Sequence, residues 1–77
     1  MGVRNVIAWC VVPPKAESPF EEAQMYPLRI ETKLFSKKVV VYQRVGKYFD
    51  HLLAESRHEF KNKEEFGKTW QIIKEDN

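Results

Sequence analysis

The sequence is poor in the residues that make disulfides, phosphate-binding loops and membrane spans. Cys10 is the single cysteine, so the chain cannot close a disulfide within itself or supply a thiolate-rich metal site. The three glycines are scattered as Gly2, Gly46 and Gly67, which rules out a glycine-rich phosphate cradle or a dinucleotide fingerprint. The longest apolar run covers only residues 6–12, whereas a membrane-spanning helix needs about 20 residues. These absences argue against nucleotide-dependent enzymes and against a membrane-spanning chain.

The composition is that of one small folded domain. Of 77 residues, 43% are hydrophobic and 31% are charged, a balance that permits a hydrophobic core rather than disorder. Chains of this length bury only ~60% of their unfolded surface, so we predict a single domain over residues 1–77. The lack of a disulfide, and of a small-residue cleavage site after the apolar run, favours a cytoplasmic protein with no membrane partner.

Basic residues are concentrated in the middle of the chain, although the net charge is only +2. Between residues 29 and 48, six basic side chains accompany one acidic side chain, Glu31, which gives this segment a charge of +5. The six are Arg29, Lys33, Lys37, Lys38, Arg44 and Lys47. Residues 15–28 and 49–77 carry −2 each, so any contact with a polyanion is expected in the middle segment.

Three segments have the residue pattern of β-strands. Residues 3–12 are rich in β-branched and aromatic side chains and are followed by two prolines, which predicts a first strand. Its lack of polar alternation favours a central position in the sheet with both faces covered. Residues 28–35 alternate between apolar and polar, and residues 39–45 are rich in β-branched side chains. The last two segments therefore predict an antiparallel hairpin.

Three other segments carry helix signals. Residues 18–21 read Ser-Pro-Phe-Glu, a capping-box pattern that predicts a short helix ending before Pro27. Apolar spacings of three and four predict an amphipathic helix from about 47 to 60. Asn62 and Glu65 resemble a second cap, which predicts a final helix reaching the C-terminus. The residues that recur at these spacings are Phe49, Leu52, Leu53, Ser56 and Phe60 in the first of the two helices, and Phe66, Trp70 and Ile73 in the second.

Together these elements predict an α+β fold, with the order β-α-β-β-α-α along the sequence. We expect a small two-layer sandwich in which a three-stranded, mainly antiparallel sheet is covered by two C-terminal helices. Those two helices are the only predicted elements long enough to cover the apolar face of the sheet.

Few residues have the spacing of a catalytic or metal site. His51, Glu55 and His58 would lie along one face of the predicted helix, where they could ligate a metal ion or transfer protons. The spacing differs from the H-E-x-x-H zinc motif, so a solvated polar face is the simpler interpretation. Cys10 lies in an apolar strand and is interpreted as a core residue rather than a nucleophile. We predict a non-catalytic protein without a metal ion or cofactor.

The remaining signal is a basic hairpin with interleaved aromatic residues. Its candidate binding residues are Arg29, Lys33, Phe35, Lys37, Lys38, Tyr42, Arg44 and Lys47. If they share one surface, the cations would neutralise phosphates and the rings would stack on unpaired bases. The simpler interpretation is a solvated sheet face whose lysines protect an edge strand from aggregation.

The sequence thus predicts a small non-catalytic regulatory module that binds nucleic acid through the basic hairpin. The alternative is a protein-binding inhibitor or adaptor that uses an exposed strand edge or helix face, in one version as a homodimer. A small core makes oligomerisation an attractive source of additional stability.

Overall fold

The computed structural model describes residues 2–14, 19–45 and 51–76. Within these ranges the chain forms five strands and one short helix. In chain order they are β1 (Gly2–Cys10), β2 (Met25–Thr32), β3 (Val39–Arg44), β4 (Leu52–Phe60), α1 (Lys63–Thr69) and β5 (Trp70–Glu75). Within these ranges, no helix is long and apolar enough to cross a membrane.

All strands of the described ranges join one antiparallel sheet in the order β4-β3-β2-β1-β5. The predicted first strand is confirmed as β1, which pairs with β2 on one side and with β5 on the other. The predicted hairpin is confirmed as β2 and β3, which pair from Leu28↔Gln43 to Thr32↔Val39. The predicted strand over residues 28–35 is too long, because β2 ends at Thr32 and residues 33–35 belong to the connection. The prediction that both faces of β1 are covered is wrong, because Trp9 is 37% exposed on the side away from the core.

The predicted sandwich of a three-stranded sheet covered by two C-terminal helices is wrong. Residues 52–60 form β4 and residues 70–75 form β5, so both segments add strands to the sheet. The helical prediction failed in β4 because its two buried positions are polar, Ser56 and His58. Without apolar residues at those positions, the alternation of a strand is not visible in the sequence. Residues 47–50 of that predicted helix lie outside the described residues.

The predicted cap at Asn62 is confirmed, but the helix that it begins is short. The backbone N–H of Glu65 donates to Asn62 Oδ1 at 2.9 Å. The helix ends at Thr69, and Trp70 is extended with φ −122° and ψ 133°. Trp70 is buried in the core and Ile72, two residues further on, packs against it, which is the alternation of a strand.

The predicted short helix before Pro27 is also wrong where the structure describes it. Residues 19–24 form a turn-rich segment without helix, and Ala23 has a positive φ of 61°. Ser18, the predicted cap residue, lies outside the described residues. Backbone bonds hold this segment to β1, because Cys10 N donates to Gln24 O and Ala23 N donates to Cys10 O, at 2.9 and 2.8 Å.

The core lies on one face of the sheet, called here the inner face. Its buried strand residues occupy alternate positions, as the pleat requires. They are Val6, Ala8, Cys10, Leu28, Ile30, Val39, Val41 and Trp70. Phe20 packs over them with its ring edge-to-face on Trp70, the centroids 4.8 Å apart. The helix adds Phe66, which packs edge-to-face on Phe60.

A hydrogen bond between the two edge strands shows that the sheet is strongly curled. Trp70 Nε1 on β5 donates to His58 Nε2 on β4 at 3.0 Å. Because these strands lie at opposite edges, their side chains meet only if the sheet bends around the core. Register shifts between Ile7 and Ala8, and between Val41 and Gln43, accompany the bend. The sheet therefore covers much of its own core, the role that the sequence assigned to helices.

Cys10 lies buried in β1 and belongs to the core, as predicted. Burial raises the pKa of its thiol above the ordinary value, and the nearby Glu22 carboxylate raises it further. A raised pKa keeps the sulfur protonated at neutral pH, where a nucleophile needs the thiolate.

Candidate nucleic-acid interface

The face of the sheet opposite the core, called here the outer face, carries two ion pairs. Arg29 Nε lies 2.9 Å from Glu31 Oε2 on β2. Arg57 Nη2 lies 2.8 Å from Glu59 Oε2 on β4. Val40 of β3 stands between the two carboxylate-bearing residues, in register with both. Each arginine is thus paired with a carboxylate on its own strand, and this part of the outer face is close to neutral.

The charges around Glu59 act on one another. The Arg57 guanidinium lowers the pKa of the Glu59 carboxyl from its ordinary 4.5, and Lys38 and Lys33 add smaller effects of the same sign. Glu59, and after it Tyr42, raise the pKa of Arg57. The two lysines therefore stand close enough to the outer face to act on its charges.

Positive charge without a carboxylate partner is concentrated in the connection between β2 and β3, residues 33–38, called here the lysine loop. Lys33, Lys37 and Lys38 are exposed, and within the described ranges no carboxylate lies at ion-pair distance from any of them. Two hydrogen bonds shape the loop: Ser36 N donates to Lys33 O at 3.2 Å, and Lys38 N donates to Ser36 Oγ at 3.1 Å. The cations are presented by an ordered turn.

Phe35 lies in the lysine loop with 96% of its surface exposed, and the neighbouring Leu34 is 72% exposed. A single exposed apolar side chain is common on folded proteins and by itself indicates nothing. An almost fully exposed ring in the same loop as three cations is a more specific sign of nucleic-acid binding. Proteins that bind single strands combine cations, which contact the phosphates, with aromatic rings, on which the bases stack.

Two grooves flank the lysine loop. The first, called here the outer-face groove, has a volume of about 500 Å³ and is lined by both ion pairs together with Lys33 and Lys38. The second, called here the helix-side groove, is also about 500 Å³ and is lined by Lys37 and by Lys63 and Glu64 at the start of α1. The two grooves share the residues Thr32, Lys33 and Ser36.

Four of the predicted residues lie in the lysine loop and are exposed: Lys33, Phe35, Lys37 and Lys38. Arg29 borders the outer-face groove but is paired with Glu31. Tyr42 lies on the outer face, half-buried and beside Arg29 in register.

One of the predicted residues does not lie at this surface. Arg44 is only 5% exposed, and its Nη2 donates to Asp76 Oδ2 at 2.5 Å and to Val6 O at 3.3 Å. These bonds hold the end of β3 to β1 and to the residue after β5, so Arg44 has a structural role. Lys47 lies outside the described residues.

Arg57 and Lys63 line the grooves and were missed by sequence reasoning. Arg57 was assigned to a helix, whereas its alternation with Glu59 on a strand places both beside the β2–β3 hairpin. Lys63 follows the cap residue Asn62, and no local pattern indicates that the start of α1 lies near the lysine loop.

The suspected metal ligands do not form a cluster. Because residues 52–60 are a strand, the helical spacing of His51, Glu55 and His58 has no meaning there. His58 is buried and bonded to Ser56 O and Trp70, whereas His51 and Glu55 are exposed. Over the part of the chain that the structure describes, no three acidic, histidine or cysteine side chains are grouped as metal ligands.

No family model, curated protein or solved structure matches this chain. What the protein binds must therefore be inferred from its own surface.

Proposed function

We propose that this chain is a non-catalytic nucleic-acid-binding module that contacts its ligand through the lysine loop and the outer-face groove. The observation that supports this is that Lys33, Lys37 and Lys38 share one exposed loop with the exposed ring of Phe35, and none of them has a carboxylate at ion-pair distance within the described ranges. Lysines without partners can neutralise phosphates and release their counterions, which is the main source of sequence-independent affinity.

The small number of free cations limits the expected affinity and sets its salt dependence. Three lysines that each neutralise one phosphate give a slope of about −2 in log K against log salt for a single strand. Arg29 and Arg57 add less than their number suggests, because Glu31 and Glu59 compete with phosphate for them. Binding is therefore expected to be weak and strongly reduced by salt.

Fluorescence anisotropy with labelled single-stranded and duplex oligonucleotides, at about 50 and 200 mM salt, tests this proposal. The variant Lys37→Glu/Lys38→Glu is expected to lose at least about tenfold in affinity at the lower salt. Its matched control is Lys68→Glu/Lys74→Glu, which changes the net charge equally at exposed sites on α1 and β5. Circular dichroism verifies that both variants are folded. Equal affinity of the two variants, or no binding by the natural chain, would contradict the proposal.

A second candidate function is protein binding through an apolar area at the far end of β1. Trp9 and Met25 are cross-strand partners there, and both are exposed, as are Val11 and Ile73. Light scattering tests the homodimer version of this function. A mass of two chains that falls to one chain in Trp9→Lys would support it, and a monomer at all concentrations would count against it.

A further inference from the structure

We propose that the nucleic acid bound at the lysine loop is single-stranded and crosses the loop with one base stacked on Phe35. This inference rests on the proposed function and names its ligand more narrowly. It is drawn from the presentation of the ring and from the path that the two grooves define.

The ring of Phe35 is available to a base on both of its faces. At 96% exposure it packs against almost nothing, and the Ser36–Lys33 and Lys38–Ser36 hydrogen bonds define the turn that carries it. A base that stacks on this ring therefore displaces no neighbouring side chain. Such stacking tolerates any base, because every base has a π-face. In a duplex those faces are already stacked on one another, so only an unpaired base can use the ring.

The cations around the loop continue from one groove into the other. Arg57 and Lys38 line the outer-face groove, Lys33 belongs to both grooves, and Lys37 and Lys63 line the helix-side groove. A phosphate backbone that follows these side chains must bend around a loop of a few residues. Duplex DNA, with a persistence length of about 150 base pairs, resists such a bend, whereas a single strand adopts it readily. The path thus favours a single strand and assigns Lys63 to the footprint.

An anionic lipid surface would meet the same lysines, but it would use the apolar residues differently. Insertion into a membrane interface buries Leu34 and Phe35 together, since both side chains are exposed on the same loop. Stacking on a base requires the ring of Phe35 and makes no use of Leu34. Substitutions of Leu34 and of Phe35 therefore distinguish a lipid surface from a nucleic acid.

The experiment compares Phe35→Ala, Phe35→Trp and Leu34→Ala in anisotropy titrations with oligothymidylate, an abasic oligomer of equal length, and a duplex. We expect Phe35→Ala to weaken binding of oligothymidylate by roughly fivefold to a hundredfold, the effect of losing one stacked base. Phe35→Trp should restore the affinity, and Leu34→Ala should leave it within about twofold. The abasic oligomer and the duplex offer no free base. For each of these two ligands, the natural chain and Phe35→Ala should have the same affinity.

Several results would overturn the inference. If Phe35→Ala lost as much affinity for the abasic oligomer as for oligothymidylate, the ring would act only on the shape of the loop. Tighter binding of the duplex than of the single strand would exclude the path around the loop. Binding to vesicles with about 30% phosphatidylserine, lost equally in Leu34→Ala and Phe35→Ala, would assign the loop to a lipid surface.

The charge-reversed loop variant separates failure of this inference from failure of the proposed function. If Lys37→Glu/Lys38→Glu abolishes binding and Phe35→Ala does not weaken it, nucleic-acid binding stands and stacking is excluded. If the natural chain binds no oligonucleotide at the lower salt, both are excluded.

Discussion

Trp70 on β5 donates a hydrogen bond from its indole nitrogen to Nε2 of His58 on β4, over 3.0 Å between buried side chains. Because an indole nitrogen can only donate, Nε2 is the ring nitrogen of His58 that carries no proton. The proton is on Nδ1, which donates to Ser56 O at 2.7 Å. The imidazole is therefore neutral in a single tautomer, and it connects the two edges of the sheet.

Replacing Trp70 by phenylalanine is expected to lower the free energy of unfolding by about 2–4 kcal/mol. The smaller ring leaves a cavity beside Phe20, and Nε2 of His58 loses its buried donor. Urea denaturation followed by far-UV circular dichroism measures the change. Trp9→Phe is the control, since Trp9 is 37% exposed and the same exchange there should cost less than about 1 kcal/mol. Equal losses in the two variants would contradict the proposed role of the bond.

Asp76→Asn is expected to destabilise the fold without weakening binding to oligonucleotides. Arg44 is buried, and the Asp76 carboxylate is the acceptor 2.5 Å from its Nη2. Because Asp76 is itself partly exposed, water compensates for some of the loss, and we expect about 1–3 kcal/mol. Glu75→Gln is the control: it breaks the exposed pair with Arg4 and should cost less than about 1 kcal/mol. Reduced affinity in a folded Asp76→Asn protein would instead place Arg44 at the binding surface.

The ion pair of Arg57 and Glu59 predicts a small loss of stability in acid. The pKa of Glu59 is lower in the folded chain than its ordinary value of 4.5, chiefly through the Arg57 guanidinium. The pair therefore contributes stability above pH 4.5, and this contribution disappears as the pH falls through the lower, folded-state pKa. Melting temperatures of the natural chain and of Glu59→Gln should differ at pH 7 and converge near pH 2. A difference in melting temperature that stayed constant from pH 7 to pH 2 would show that the ion pair does not cause the loss of stability in acid.

Two opposite exchanges between alanine and glycine are both expected to stabilise the protein. Ala23 has φ 61°, a conformation that is strained for any residue with a Cβ, so Ala23→Gly should gain about 0.5–1 kcal/mol. Gly67 lies within α1, where an added Cβ would meet no atom within 4 Å, and Gly67→Ala should gain about 1 kcal/mol. Chemical denaturation measures both. Destabilisation by Ala23→Gly would mean that the greater conformational entropy of glycine in the unfolded chain outweighs the relief of backbone strain at this turn.

The N-terminal half of the sheet could be predicted from the sequence, because its strands carry their pattern in apolar residues. Leu28 and Ile30 of β2 alternate with charged residues, and both are buried. In β4, Ser56 and His58 occupy buried positions where hydrogen bonds to the distant partners Gln43 and Trp70 help to satisfy their polar atoms. Local patterns contain no information on those partners, so the strand could not be distinguished from a helix.

The candidate site was predictable where it depends on one hairpin and unpredictable where it depends on distant strands. Lys33, Lys37 and Lys38 follow directly from the turn between β2 and β3. The burial of Arg44 depends on Asp76, 32 residues later in the chain. The neutralisation of Arg29 by Glu31 depends only on alternation along one strand and could have been anticipated.

The position of β1 between β2 and β5 has a consequence for how the protein reaches its native state. β5 comes from residues 70–75 and pairs with residues 6–10, so one side of β1 has no hydrogen-bond partners until residues 70–75 have been synthesised. An apolar strand with an open side is prone to pair with other chains. Pairing between segments so far apart in the sequence also slows folding. Before β5 leaves the ribosome, only the β1–β2–β3–β4 meander can assemble, and until then β1 remains exposed to misassembly.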